Sequence, residues 1–293
     1  MSKYIVGLGE ALWDELPEGR KIGGAPANFA YHISQLGFDS KIVSAVGNDP
    51  LGDELLQRFD ERGLAYQIER VGYPTGRVAV DVDSYGIPLY NIQRDVAWDN
   101  IPFTPELESL AQQTQVAFFG SIAQRNEVSR STINRFLDAM PNEADSYKIF
   151  DVNLRQHYYT KEILHSSMER CNVLKINDEE LVALSRRLGY PGVDLKDKCW
   201  ILLSKYKLDI LILTCGINGS YIFAPGRVSF VATPKVEVAD TIGAGDSFTA
   251  AFITSTLKGD DIRTAHNRAV ELSAYTCKQH GAMPEIPERL RNR

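Results

Sequence analysis

Six short apolar runs recur along the 293-residue chain: Tyr4 to Leu8, Ile42 to Val46, Val116 to Phe119, Lys148 to Asp151, Val173 to Ile176 and Ile210 to Thr214. Amphipathic stretches separate them. Strand-length apolar segments alternating with helical periodicity point to a mostly parallel sheet wrapped by helices, an α/β layered fold. Four helices are readable from their apolar spacing and their stops: Pro26 to Leu36 before Gly37, Asp53 to Arg62 before Gly63, Asp178 to Leu188 before Gly189, and Gly245 to Leu257 before Gly259.

One region departs from this rhythm. Residues Arg77 to Asp83 alternate apolar and polar, Ser84-Tyr85-Gly86 reads as a turn, and Ile87 to Ile92 continues as a second strand. A hairpin inside an α/β chain is expected to form a small β lid over one sheet edge, built from about residues 10–23 and 65–98. The plain alternative is a hairpin that only caps the core. No Pro-, Gly- or Ser-rich linker, internal repeat or low-complexity tract divides the sequence, so residues 1–293 are expected to form a single domain carrying this lid.

A net charge of −6 without a basic block argues against a nucleic-acid partner. The four cysteines lie far apart, with no CxxC pair and no zinc spacing, which fits a reduced, cytoplasmic chain. The start is apolar too briefly for a signal peptide, and no run reaches the ~18 apolar residues of a membrane helix. The expectation is a soluble protein without a membrane anchor.

The densest chemistry lies in Asp240-Thr241-Ile242-Gly243-Ala244-Gly245-Asp246, directly ahead of a helical run. A glycine-rich turn at a helix start presents unpaired N–H groups and the positive end of the helix dipole, a setting that suits a phosphate. Asp246 would face the same space as a base that takes a proton from a hydroxyl. Taken alone, the same aspartate is better explained as a helix cap.

With its neighbours this string resembles the C-terminal signature of the ribokinase-like carbohydrate kinases. Gly23-Gly24-Ala25-Pro26-Ala27-Asn28 is similar to their N-terminal signature, Asp151-Val152-Asn153-Leu154-Arg155 to their D-x-N-x-R segment, Lys175 to Glu180 to K-x-N-x-x-E, and Thr214 to Gly219 to T-x-G-x-x-G. The matches run in family order from residue 6 to 284. Residues Gly9 to Gly37 look most like the fructokinases.

The resemblance implies a three-layer sandwich with a small β lid. It implies ATP-dependent phosphorylation of a sugar primary hydroxyl, D-fructose to D-fructose 6-phosphate first. Asp246 would be the base, and Gly243, Ala244, Gly245 and Asp246 would form an anion hole. Asp14, Gly23, Gly24, Asn28, Arg94 and Arg155 would bind the sugar. Lys175, Asn177, Thr214, Gly216 and Gly219 would bind ATP. Glu180 would meet Mg²⁺ through water, and Asp240, Ile242 and Gly281 would order a monovalent cation, K⁺ first. Val270 departs from the polar or aromatic neighbour that several relatives place near adenine. Open lid edges invite a homodimer.

Competing readings stay open at this stage. Ribose, 2-keto-3-deoxygluconate or a nucleoside could be the acceptor, or the chain could bind sugar without turnover. A dinucleotide fold is disfavoured because Leu12 occupies the third glycine position after Gly7 and Gly9. No P-loop sequence is present.

Overall fold

The computed structural model describes residues 3–16, 19–82, 88–189 and 194–291. Among the described residues thirteen strands occur in chain order: β1 (Tyr4–Leu8), β2 (Leu12–Leu16), β3 (Gly19–Gly23), β4 (Ser40–Gly47), β5 (Tyr66–Val71), β6 (Arg77–Val82), β7 (Pro88–Ile92), β8 (Thr114–Gly120), β9 (Tyr147–Asp151), β10 (Val173–Asn177), β11 (Ile210–Thr214), β12 (Ser220–Ala224) and β13 (Arg227–Val231). The helices of eight or more residues are α1 (Ala25–Gln35), α2 (Pro50–Glu61), α3 (Pro105–Gln112), α4 (Glu127–Ala139), α5 (Lys161–Arg170), α6 (Asp178–Leu188), α7 (Leu195–Lys205), α8 (Ala244–Leu257) and α9 (Ile262–Thr276).

Nine strands form the large sheet in the order β13-β12-β11-β10-β9-β8-β1-β4-β5. The seven from β11 to β5 are parallel, and β12 and β13 add an antiparallel edge. Alternation along each strand divides the core. Val6, Leu8, Phe119, Phe150 and Leu174 face α3 to α7, whereas Ile5, Phe118, Ile149 and Val173 face α1, α8 and α9. Phe29 of α1 stacks on Phe118 with ring centroids 4.5 Å apart. Burying each such ring contributes about 1.5–3 kcal/mol.

The second sheet has the order β3-β2-β6-β7. Its outer pairs are antiparallel, and β2 runs parallel to β6. The expected hairpin is therefore present, with its turn outside the described residues. The expected lid range needs one correction: β5 pairs with β4 in the large sheet, so Tyr66–Val71 lie in the main layer. A buried 3₁₀ turn, Ala97–Asn100, likewise packs into the core.

Helix α2 begins three residues before the expected Asp53, because Asp49 accepts the Gly52 N–H at 2.8 Å and Pro50 supplies the first helical φ. Among the described residues no helix is long and apolar enough to cross a membrane.

Candidate active site

Helix α8 starts at Gly243, whose φ of 75° belongs to the left-handed region. A Cβ there would lie 2.8 Å from the Ala282 backbone, so the turn needs glycine for space as well as for conformation. No side chain caps this helix start. The Ala244 N–H turns back to the Thr241 carbonyl at 3.3 Å. Gly245 and Asp246, the next two helical residues, have no intrahelical acceptors for their N–H groups, which leaves them as donors beside the positive helix end.

The Asp246 carboxylate does not serve that cap. It is 7% exposed, and its Oδ2 accepts a hydrogen bond from Asn28 Nδ2 at 2.9 Å. Burial pushes its pKa above the ordinary value, opposed by the Asn28 bond and by the charges of Lys175 and Arg155. Asn28 lies one turn into α1. One turn further, His32 is fully buried and its Nε2 lies 2.9 Å from the Ala282 carbonyl, the residue against which Gly243 packs. Helix α1 thus touches both the acid and the loop behind the helix start.

Lys175 approaches from below. A Cβ on Gly245 would sit 3.0 Å from Lys175 Nζ, so the second glycine makes room for the ammonium. Lys175 also pairs with Asp151, Nζ to Oδ2 at 3.1 Å, and both side chains are almost wholly buried. The two residues are direct partners in the β9–β10 register. Burial opposes the lysine charge, but Asp151, Glu180 and Asp246 outweigh it and hold the pKa above its usual value. A permanently charged ammonium beside free helix-start donors is suited to an anion that carries several negative charges.

Opposite this group, Asp14 on β2 lies so close to Gly23 that a Cβ there would meet Asp14 Oδ2 at 2.2 Å. Burial raises its pKa to about 6, against the pull of Arg155. Glu10, in the short connection between β1 and β2, is 3% exposed, and burial raises its pKa to about 7, with Asp246 adding to the effect and Arg155 opposing it. Arg155 is exposed on a loop in which Asn153 and Gln156 hold φ of 38° and 48°. Two non-glycine residues in the left-handed region mark a loop shaped by more than its own preference.

Asn177 and Glu180 form a reciprocal cap at the start of α6: Asn177 Oδ1 accepts from the Glu180 N–H at 2.8 Å, and Glu180 Oε2 accepts from the Asn177 N–H at 3.0 Å. Glu180 Oε1 accepts from the Leu154 N–H at 3.0 Å. Both carboxylate oxygens therefore have partners, and each keeps acceptor capacity for one further contact. Among the described residues, no cluster of three or more His, Cys, Asp or Glu is placed to hold a metal. That donor set fits a magnesium ion that arrives on a phosphate group with its waters. Asp240 ties the other expected ion loop together, accepting from the Ile242 N–H at 2.9 Å and the Gly281 N–H at 3.0 Å.

The remaining expected residues divide. Thr214 and Gly216 lie at the β11–β12 turn, and Gly24 precedes α1. Gly219 has a packing reason for being glycine, since a Cβ there would meet Phe230 and Val231 at 2.7 Å. Arg94 stands outside the cluster: it is exposed, lies 5.0 Å from the Tyr158 ring centroid, and lines a cleft of ≈ 260 Å³ with Arg125, Arg130 and His157. Two residues of the cluster were missing from the expected site, Glu10 and Asp151. A signal existed for Asp151, because it closes the apolar strand β9 and Lys175 interrupts the apolar strand β10, which a parallel sheet sets beside it.

The family pattern described as pfkB family carbohydrate kinase matches residues 18–289. The chain is 32% identical over 271 residues to a fructokinase of Klebsiella pneumoniae, spanning 86% of this chain and 84% of the relative. It is 28% identical over 272 residues to an ATP-dependent 6-phosphofructokinase of Thermoanaerobacterium thermosaccharolyticum, spanning 91% and 82%. The crystal structure of an uncharacterized sugar kinase from Pyrococcus horikoshii superposes with a TM-score of 0.81 at 26% identity, covering 96% of this chain and 94% of that one. The signatures read from the sequence lie within a match that extends almost from end to end, and the chain belongs to the pfkB family of carbohydrate kinases.

Proposed function

We propose that the protein transfers the γ-phosphoryl group of ATP to a primary hydroxyl of a sugar, with D-fructose as the first acceptor and D-fructose 6-phosphate as the product. The observation that carries this reading is the buried Asp246 carboxylate, held by Asn28 at a helix start whose next glycine covers Lys175. Asp246 takes the acceptor's hydroxyl proton, the freed oxygen attacks the γ-phosphorus, and the bond to the bridging oxygen breaks as ADP leaves. The backbone around Gly243 to Asp246 and the Lys175 ammonium stabilise the charge on the transferring group.

Asp14, Gly23, Gly24, Asn28 and Arg155 bind the sugar, and closure of the small sheet, with Arg94 beside it, excludes water. Lys175, Asn177, Thr214, Gly216 and Gly219 face the nucleotide. Magnesium, held through water by Glu180, would neutralise phosphate charge. Asp240, Ile242 and Gly281 order a loop that a potassium ion would brace. The open edges β3 and β7 offer a second copy a place to pair, which supports a homodimer.

The fructokinase relative supports fructose, and the phosphofructokinase relative makes fructose 6-phosphate the necessary comparison. ADP release is measured with fructose, fructose 6-phosphate, 2-keto-3-deoxygluconate, ribose and a nucleoside, with and without K⁺. Fructose is expected to give the highest kcat/KM. A higher value for another acceptor would replace fructose, and sugar binding without ADP release from any of them would replace the kinase reading with a binding protein.

A further inference from the structure

His32 has no part in the scheme above, although it is fully buried on α1, one turn beyond Asn28. A carbonyl only accepts, so the contact at 2.9 Å between its Nε2 and the Ala282 oxygen places the ring proton on Nε2. Nδ1 is then a bare acceptor, buried without a hydrogen-bond partner among the described residues. Burial lowers the pKa to about 4, so the ring is neutral at neutral pH. A phenyl ring at this position would avoid the cost of the stranded nitrogen. What the imidazole gains in exchange is one bond, to Ala282.

Ala282 is the residue on which the start of α8 rests. Its Cα, Cβ and carbonyl oxygen all lie 2.8 Å from the point that a Cβ on Gly243 would occupy, and Gly243 holds its φ of 75° against it. Beside it, the Gly281 N–H donates to Asp240 Oδ2 at 3.0 Å, while Asp240 Oδ1 accepts from the Ile242 N–H at 2.9 Å. Asp240 thus ties the Gly281–Ala282 strap to the loop that the strap supports. Of the two bonds on the strap, the one from His32 comes from a separate element. We propose that His32 is a positioning residue for the transferring phosphoryl group: as a fixed N–H donor it holds the Ala282 carbonyl, and with it the left-handed turn that aims the Gly245 and Asp246 N–H groups. Residues four apart share a helix face, so one stripe of α1 reaches the base through Asn28 and the turn beside it through His32.

This inference rests on the reading of Gly243 to Asp246 as an anion hole, so the first measurement is made on the wild type. ADP affinity is determined with Mg²⁺ and the acceptor of highest kcat/KM, with and without aluminium fluoride, which imitates a phosphoryl group in transfer. If aluminium fluoride does not tighten ADP binding, the anion-hole reading fails and this one with it. If it does, His32→Phe and His32→Gln are compared with wild type. His32→Phe keeps a ring and loses the donor, whereas the His32→Gln amide can donate from near the position of Nε2. His32→Phe is expected to lower kcat about tenfold, the scale of a slightly misplaced group, and to weaken ADP binding with aluminium fluoride by a similar factor, while affinity for ADP alone stays within about twofold. His32→Gln is expected to regain most of both losses. Unchanged kcat and aluminium fluoride affinity in His32→Phe, equal losses in His32→Phe and His32→Gln, or an ADP affinity that falls as much without aluminium fluoride as with it, would overturn the proposal. If His32→Phe does not fold, His32→Asn takes its place, since its shorter amide falls short of Ala282.

Discussion

Asn28 Nδ2 donates to Asp246 Oδ2 at 2.9 Å, although 218 positions separate the two residues in the chain. Burial acts against the charge of Asp246, and this bond acts for it. Burial is the largest effect and keeps the pKa above its ordinary value, while the charges of Lys175 and Arg155 oppose it alongside Asn28.

Replacing Asn28 with Ala removes one of the effects that favour ionisation. The Asp246 pKa then rises further, so the acid limb of kcat/KM moves to higher pH and activity at neutral pH falls. Loss of a buried bond to a charged group costs about 1–3 kcal/mol of folding stability. A pH–rate profile and a urea titration measure the two effects, and an unmoved acid limb would remove Asn28 from control of the base.

Asp246→Asn keeps the shape of the side chain and removes the proposed base. Turnover is expected to fall by about 10²–10⁴-fold, the scale of general-base catalysis, with ATP binding unchanged. Single-turnover kinetics and nucleotide titration separate the two, and near-normal kcat would reject the assignment.

Much of this was legible before any coordinates. The parallel sheet follows from six apolar runs at regular intervals, and the left-handed turn at Gly189 from a glycine placed after an amphipathic stretch. β12 and β13 have no counterpart among the six apolar runs; Arg227 and Ser229 interrupt the second, which is largely exposed. Tyr66–Val71, inside the expected lid range, is half-buried at five of its six residues, as suits an edge strand of the large sheet. In the site, motifs located Asp246, Asn28 and Lys175. They could not show that Asp151 meets Lys175, which depends on the strand register, or that Glu10 is buried, which depends on how the segment after β1 packs.

The Asp151–Lys175 pair gives a prediction in which stability and activity separate. Lys175→Met leaves the Asp151 carboxylate buried without its cation, at a cost of about 3–5 kcal/mol. Adding Asp151→Asn removes the stranded charge and is expected to restore part of that stability, because Glu180 and Asp246 remain nearby. Activity is not expected to return, since the ammonium below Gly245 is still missing. Denaturation midpoints and ADP release on the three variants test this; recovery of activity in the double variant would show that Lys175 serves only to neutralise Asp151.

The burial of Glu10 makes folding stability depend on pH in a direction opposite to that of a salt-bridged acid. Its pKa rises from 4.5 to about 7 on folding, so between those values the folded state binds more protons than the unfolded chain. Stability from this group is complete below pH 4.5 and is lost as pH rises through 7. Glu10→Gln has no such titration. The variant and wild type should be similarly stable near pH 4, and the variant should gain steadily above it, reaching up to about 3 kcal/mol by pH 8 at about 1.4 kcal/mol per pH unit. Asp14 and Asp151 are present in both proteins, so their titrations cancel in the difference to first order. Chemical denaturation at pH 4.5, 6 and 8 measures the gap. A gap that stays constant across that range would mean that Glu10 remains ionised throughout and that its carboxylate is better solvated than its burial implies.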